Sequence, residues 1–342
     1  MARAACLQTP PVWSETLAIP NADSLLWAYD WKTEGNNMKK ILFATTALVA
    51  SAGVVAADVS FSGYGRFGAI SIDNPTPTPD VEGIYTRIRL QIDMTTEADN
   101  GLTFGARLRH QATSVNGAGY GGGFNGARFF ARAGGLEIGV GNTFGAIEFM
   151  PGVYMSTQSA DIGLSGLGFH SLVTNTAQKG YFNWDAYSSG GVGRDGVEVM
   201  YSAGDFGGHL SYSNTGGVER TGLHVRYAFN DWTVALGYQD SSLATEDKIV
   251  LTVGGNVGPA KLGLAYADND GIGKFALTAG VEVGAATRVD AYISSEDGAA
   301  GGEAYGLGVS HSLGGGASLE GGFTRNDITD VNAVDLGIRF NF

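Results

Sequence analysis

Arg87-Ile88-Arg89-Leu90-Gln91-Ile92-Asp93-Met94, read RIRLQIDM, alternates strictly between two sets of residues. Arginine, arginine, glutamine and aspartate fill one set; isoleucine, leucine, isoleucine and methionine fill the other. A period of two puts successive side chains on opposite faces of a β-strand. The fold depends on which face meets water. In a soluble sandwich the apolar face packs on a second sheet and the polar face is ordinary surface. In a transmembrane β-barrel the apolar face meets lipid and the polar face lines the lumen.

The pattern recurs along most of the chain. Leu102, Phe104, Ala106 and Leu108 alternate with Thr103, Gly105, Arg107 and Arg109. The chain ends with Val334, Leu336, Ile338, Phe340 and Phe342 set against Asp335, Gly337, Arg339 and Asn341. No segment carries a long helical stripe, which argues against an α/β fold. Breakers such as Ala133-Gly134-Gly135 and Phe229-Asn230-Asp231 join strands tightly, whereas Asp73–Gly83 and Ser295–Gly302 are longer polar loops. Short and long connections alternate, as in a barrel with tight turns at one end and loops at the other. Strands then begin near residues 58, 84, 101, 126, 135, 196, 206, 221, 231, 247, 260, 274, 287, 303, 317 and 334. The expected fold is all-β, a 16-stranded antiparallel transmembrane β-barrel. Tyr181–Tyr187 is the weak point, because counting it as a strand breaks the even number. Arginines on the polar faces of neighbouring strands suit a wet lumen better than an outer surface.

Composition agrees. The 342 residues include 54 Gly, 17 Phe and 14 Tyr, with a formal charge of −13. This balance excludes a collagen-like or disordered chain. An acidic chain without a basic stripe excludes nucleic acid as a partner. From Met38 the sequence reads MKKILFATTALVASAGVVAADVS: two lysines, an apolar run, then small residues at Ala56 and Ala57. That is the layout of a secretory signal, cleaved near Ala57 and too short to span a bilayer. Residues 1–37 precede a signal that works only at an N-terminus, so they read as a mis-assigned upstream extension. Cys6, the one cysteine, lies there, and the exported portion, residues 58–342, is free of thiol chemistry.

The stretch 142–195 breaks the strand rhythm. Being the third long-end connection, it is placed to fold into the lumen as a constriction loop, since long structureless loops in compact domains are usually functional. Phe144, Phe149, Met150, Tyr154 and Phe169 suit packing against the wall; an external lid or adhesive loop is the alternative. Beyond the signal segment there are 13 Arg and 4 Lys. Arg66, Arg87, Arg89, Arg107, Arg109, Arg128 and Arg132 all fall on the polar face of the first four strands. Facing the loop acids Glu148, Asp161 and Asp185, they would set a transverse field at a constriction, and such charge selects among ions and solutes. Arginine suits this role because it keeps its charge. The competing reading is wall salt bridges with Asp93 and Glu137.

Chemistry of other kinds finds little support. The five histidines, His110, His170, His209, His224 and His311, are scattered without metal-ligand spacing. No G-x-S-x-G elbow occurs, so neither a catalytic residue nor a metal site is indicated. An outer-membrane barrel hydrolase and a surface β-rich adhesion protein are the alternative functions. Ser62-Gly63-Tyr64-Gly65-Arg66-Phe67-Gly68 contains the G-x-G-x-x-G spacing, but no helix follows to receive a pyrophosphate. Its glycines read as sites of close strand contact.

The chain from residue 58 onward resembles the general-diffusion porins of alphaproteobacterial (purple-bacterial) type. The resemblance rests on Val59–Gly68, on Gly101–Arg109, on Gly139-Val140-Gly141-Asn142 leading into the long loop, and on Asp335–Phe342. It implies a homotrimer of sixteen-stranded barrels in a Gram-negative outer membrane, passing small hydrophilic solutes and ions by passive diffusion. It also implies loop acids facing wall arginines at an eyelet. Phe342 matches the terminal residue by which the barrel assembly machinery recognises its substrates. Some members bind calcium among loop carboxylates; the loop here is thinly acidic, so no calcium or other cofactor is expected.

Overall fold

The computed structural model describes residues 57–157, 161–167, 172–173, 183–298 and 301–342. The upstream extension and nearly all of the signal segment, along with Phe169, His170 and Tyr181, lie outside the described residues.

Sequence alternation becomes an inside-out sheet. In β2 (Val81–Glu97) Tyr85, Arg87 and Arg89 are buried while Ile84 and Ile88 are 61% and 50% exposed. In β11 (Lys248–Val257) Lys248 is buried and its neighbour Ile249 is 56% exposed. A soluble sheet would reverse these faces. Here the apolar face is the outer surface, which is what lipid contact requires. Each strand pairs antiparallel with its sequence neighbour, and β1 (Asp58–Asp73) closes the ring by pairing both β2 and β17 (Val331–Asn341). Closure leaves no edge, so every backbone group in the bilayer finds a partner. Exposed aromatics lie toward both ends: Phe206, Tyr227 and Phe229, 4.5 and 6.0 Å apart, and Phe340, 6.3 Å from Phe342, at the terminus end, and Tyr238, Tyr266, Phe275, Tyr305 and Phe323 toward the loop end.

Between these come β3 (Thr103–Val115), β4 (Ala118–Phe124), β5 (Arg128–Ala133), β6 (Leu136–Asn142), β7 (Asp195–Ala203), β8 (Phe206–Thr215), β9 (Val218–Phe229) and β10 (Trp232–Ser241). After β11 follow β12 (Ala260–Asn269), β13 (Ile272–Val283), β14 (Thr287–Glu296), β15 (Gly302–Gly314) and β16 (Ala317–Asn326). Seventeen segments build a sixteen-stranded barrel, because β4 and β5 both pair with β3 and form one broken strand. Sequence reading begins that strand at 126 and misses its upper half. The reason is physical: AGYGGGF has too few side chains to display a period. Residues 183–187 form no strand, so the even count stands. The contrast between short and long connections is weaker than expected. At the loop end Asn116-Gly117, Gly216-Gly217 and Asp270-Gly271 also turn in two residues, with the positive φ such hairpins need.

The glycines of SGYGRFG lie in β1. A Cβ on Gly63 would meet the Phe342 ring at 2.8 Å and one on Gly65 the Phe340 ring at 2.3 Å. They admit the last strand against the first, and Gly63 and Phe342 exchange backbone hydrogen bonds of 2.8 and 3.0 Å.

Candidate functional site

Register assembles the arginine wall. Arg66 is the direct partner of Arg339 on one side and of Arg87 on the other, so three arginines stand abreast across β17, β1 and β2. Adjacent strands are ~4.8 Å apart, which makes these near neighbours. Tyr64, Arg89 and Gln111 form the next row, and Asp93, Arg107 and Arg128 a row nearer the turns. Arg66, Arg87, Arg89, Arg109, Arg128 and Arg339 are all buried within the lumen wall. The Tyr64 ring lies 4.7, 5.3 and 4.3 Å from the guanidinium carbons of Arg66, Arg89 and Arg339, offering its negative face to three cations. Arg339 is missing from the sequence-derived set. Only barrel closure, which sets the last strand beside the first, brings it there.

The expected seven arginines divide into three kinds. Arg107 and Arg128 satisfy the salt-bridge reading: Arg107 Nε lies 2.6 Å from Asp93, and Arg128 reaches Glu137 at 2.7 Å and Glu198 at 2.6 Å. Gly139, on the strand between Arg128 and Glu198, leaves room for that bridge, since a Cβ there would meet both side chains. Arg66, Arg87, Arg89 and Arg109 donate to neutral groups: Leu164 O and Tyr64 Oη, Thr113 Oγ1, Gln111 Oε1, and Gln91 Oε1 with Ser189 Oγ. Arg132 departs from the expected patch. It is exposed beside the Gly134-Gly135 turn, four residues along the strand from Arg128, or ~13 Å at 3.3 Å per residue.

The described parts of 143–194 lie inside the barrel and are stitched to the wall around the lumen. Its root is fixed by Glu198, which accepts from Phe144 N and Gly145 N at 2.9 and 3.2 Å, and by His224 Nδ1, which donates to Ala146 O at 2.6 Å. Phe144 lies 3.9 Å from the Arg128 guanidinium carbon and stacks on Phe149 at 4.2 Å. The next part lies on an apolar stretch of wall. Met150, Val153, Tyr154 and Met155, with Leu172, Val173 and Trp184, form one buried cluster with Ala235, Val250, Ala265, Ala267, Ala276 and Ala304. Small inward residues on β10–β13 and β15 leave space for large loop side chains. Burying each of the latter contributes on the order of 2 kcal/mol.

The tip, residues 162–167, crosses to β17 and β1. Asp335 accepts from Leu164 N at 2.9 Å and from Ser165 N and Oγ at 2.6 Å each. On the return, Lys248 donates to Asn183 Oδ1 at 2.7 Å, and Tyr187 Oη donates to Arg107 O at 3.1 Å.

The loop acids have their described contacts away from the arginine row. Glu148 accepts from Tyr154 Oη at 2.5 Å and from Trp184 Nε1 at 2.7 Å. Burial, reinforced by Glu148, holds the Tyr154 phenol well above its usual range, so it remains a donor. Asp161 accepts from the Ile162 amide at 2.8 Å. Asp185 pairs with Arg220 of β9 at 3.2 Å, and Arg220 also binds Glu246 at 2.8 Å, contacts invisible to sequence reading because they join distant segments. The histidines are less scattered than their spacing implies. His209 and His224 are cross-strand partners with rings 5.6 Å apart, and His209 Nε2 lies 3.0 Å from Glu198. Among the described residues no group of three or more His, Cys, Asp or Glu is arranged to hold a metal ion.

The chain is 28% identical over 304 residues to a porin of Fuscovulum blasticum, a match covering 83% of this chain and all of that one. Solved structures of engineered variants of Rh. blastica porin superpose with TM-scores of 0.69 and 0.70 at 27% identity, again over 83% of this chain and the whole of theirs. Residues 44–330 match the Gram-negative porin family. The chain belongs to that family and is an outer-membrane channel.

Proposed function

We propose that this channel passes small hydrophilic solutes and ions by passive diffusion, and that the arginine wall decides which ions pass most readily. The observation that carries this reading is the row Arg339–Arg66–Arg87, three guanidinium groups at one level of the lumen, with an inward loop tip against them through Leu164 O and Arg66. Fixed charge on the wall of a narrow aqueous path raises the local concentration of counter-ions and excludes ions of like sign. The field differs from one between facing acids and arginines, because Asp185 is engaged by Arg220 and Glu148 by Tyr154 and Trp184. We further propose cleavage near Ala57 after export, assembly as a homotrimer, and recognition of Phe342 by the barrel assembly machinery. The fold's apolar outer face supports the second, and the exposed terminal ring the third.

Planar-bilayer recording tests the channel. Purified, folded protein gives stepwise conductance, and its absence would overturn the reading. Neutralising Arg66, Arg87, Arg89 and Arg109 together shifts the reversal potential in a salt gradient toward cation preference. An unchanged potential would remove these residues from control of selectivity.

A further inference from the structure

The loop tip rests on glycines. Ile162 and Leu167 bridge to form a tight hairpin, closed by Leu167 N donating to Ile162 O at 2.8 Å. Its outer side lies on β15 and β16, where the inward positions are Gly306, Gly308 and Gly322. A Cβ on Gly322 would stand 2.4 Å from Ile162 Cγ2 and 2.9 Å from Gly163 N. One on Gly306 would stand 3.0 Å from Ile162 Cγ1, and one on Gly308 3.3 Å from both Ile162 Cγ2 and Gly163 N. Only the Gly322 contacts with the tip are closer than real Cβ atoms come, so no side chain fits there while the tip stays in place; at Gly308 the tip must give by a few tenths of an ångström, and at Gly306 a Cβ meets the wall side chains Tyr292 and Thr324 first, at 2.6 and 2.8 Å. On the far side Asp335 holds the tip by three hydrogen bonds, and Gly163, with φ +74°, lies where a Cβ would strike that carboxylate at 2.2 Å. The tip is thus drawn onto the wall by an acid and admitted to it by missing side chains.

We infer that Gly308, Gly322 and Asp335 are specificity-determining positions of the channel: they set how far the loop tip retreats from the lumen and thereby the cross-section open to solutes. This rests on the channel reading above. A bulkier residue at Gly322 must displace either the wall or the tip. The wall belongs to a closed ladder in which β15, β16 and β17 are hydrogen-bonded in register on both sides. The tip is held by fewer contacts, the Asp335 hydrogen bonds and the packing of Leu164 and Leu167 on Ile70, Tyr85 and Ala333, so the tip moves off the wall toward the lumen. Pore diameter is among the factors that fix what passes.

The test is a double-mutant cycle read by single-channel conductance in planar bilayers. G322V lowers conductance by roughly a third as the tip is pushed into the path, and I162A, which removes the side chain it strikes, raises it. In the I162A background G322V loses part of its effect, because the contact with Ile162 Cγ2 is gone while that with the Gly163 backbone remains. G254V is the control: Gly254 faces the same lumen, but a Cβ there meets only Leu262 O, at an ordinary 3.6 Å, and conductance is unchanged. Should G322V fail to fold, G308A applies the same test with a smaller displacement. D335A releases the tip and increases open-channel current noise. An effect of G322V or G308A that is equal with and without Ile162, or absent from a folded channel, overturns the inference alone. Lack of stepwise conductance in the wild type overturns the channel reading and this inference with it.

Discussion

The wall running from β17 through β1 and β2 to β3 and the wall from β10 to β13 face one lumen and are built on opposite principles. The first presents Arg339, Arg66, Arg87, Arg89 and Arg109; the second presents Ala235, Val250, Ala265, Ala267 and Ala276 at its inward positions, with Gln239, Lys248 and Lys274 toward its loop end. A lumen lined only with alanine would leave apolar surface in water. Here the loop covers it, with Met150, Val153, Tyr154 and Trp184 buried on the small residues. The loop contributes few such large side chains to the arginine wall. It reaches that wall through polar contacts, a carbonyl at Leu164 and a hydroxyl at Ser189, and through Leu164 and Leu167, which pack on Ile70, Tyr85 and Ala333. Inward orientation therefore decides only that a residue faces the lumen; what the loop lays over it decides whether that stretch is dry support or charged lining.

The largest expected effect comes at the junction of these regions, where Arg128 and Glu198 pair with side chains 1% and 0% exposed. Glu198 also holds Phe144 N, Gly145 N and His209. E198A leaves a buried guanidinium with one fewer partner and frees the loop root, at a cost of about 3–5 kcal/mol. The midpoint of heat-induced unfolding, followed by electrophoretic mobility, falls clearly below that of the wild type. An unchanged midpoint would break the idea that this pair fixes the loop. Next is M150A, on the apolar wall, expected to cost ~2–5 kcal/mol as a buried methionine truncation. Its signature is local: faster hydrogen exchange across residues 143–157 with strand exchange unchanged.

On the arginine wall the comparison is sharpened by selectivity instead of stability. R87Q with R89Q shifts the reversal potential toward cations, whereas R132Q, at the exposed turn end, leaves it in place. An equal shift from R132Q would mean that the field is diffuse and not a property of this wall.

The two walls were unequally legible in the sequence. The barrel, its sixteen strands and most of the arginine wall follow from period two, because alternation is a local property that RIRLQIDM displays unaided. The glycine-rich upper half of the fourth strand escaped, having too few side chains to alternate. Arg339 escaped because its neighbours in space are at the other end of the chain. The apolar wall escaped for another reason: an inward Ala265 or Ala276 looks like a weak break in a polar face until the loop is laid against it. The loop acids were visible as residues, but their partners Arg220, Tyr154 and Trp184 depend on the path of fifty irregular residues, which no period encodes.

The smallest effect concerns acid. Glu246 lies in the connection between β10 and β11, and Arg220 joins it to Asp185 of the loop. Burial alone would push the Glu246 carboxyl upward. Its hydrogen bonds from Arg220 and Ser241, together with the charge of Arg220, outweigh this and hold it below the ordinary carboxylate range. A carboxylate depressed on folding contributes stability that is full above its unfolded value and is lost as pH falls through its folded one. The Arg220–Glu246 pair therefore stays intact from neutral pH down to ordinary carboxylate titration and loosens only below it. Hydrogen exchange around residues 183–187 should accelerate below that range in the wild type. With E246Q it should already be faster at neutral pH and change less on acidification. If E246Q and wild type respond alike to acid, the return limb of the loop is held by its contacts to Gln239, Lys248 and β3 rather than by charge.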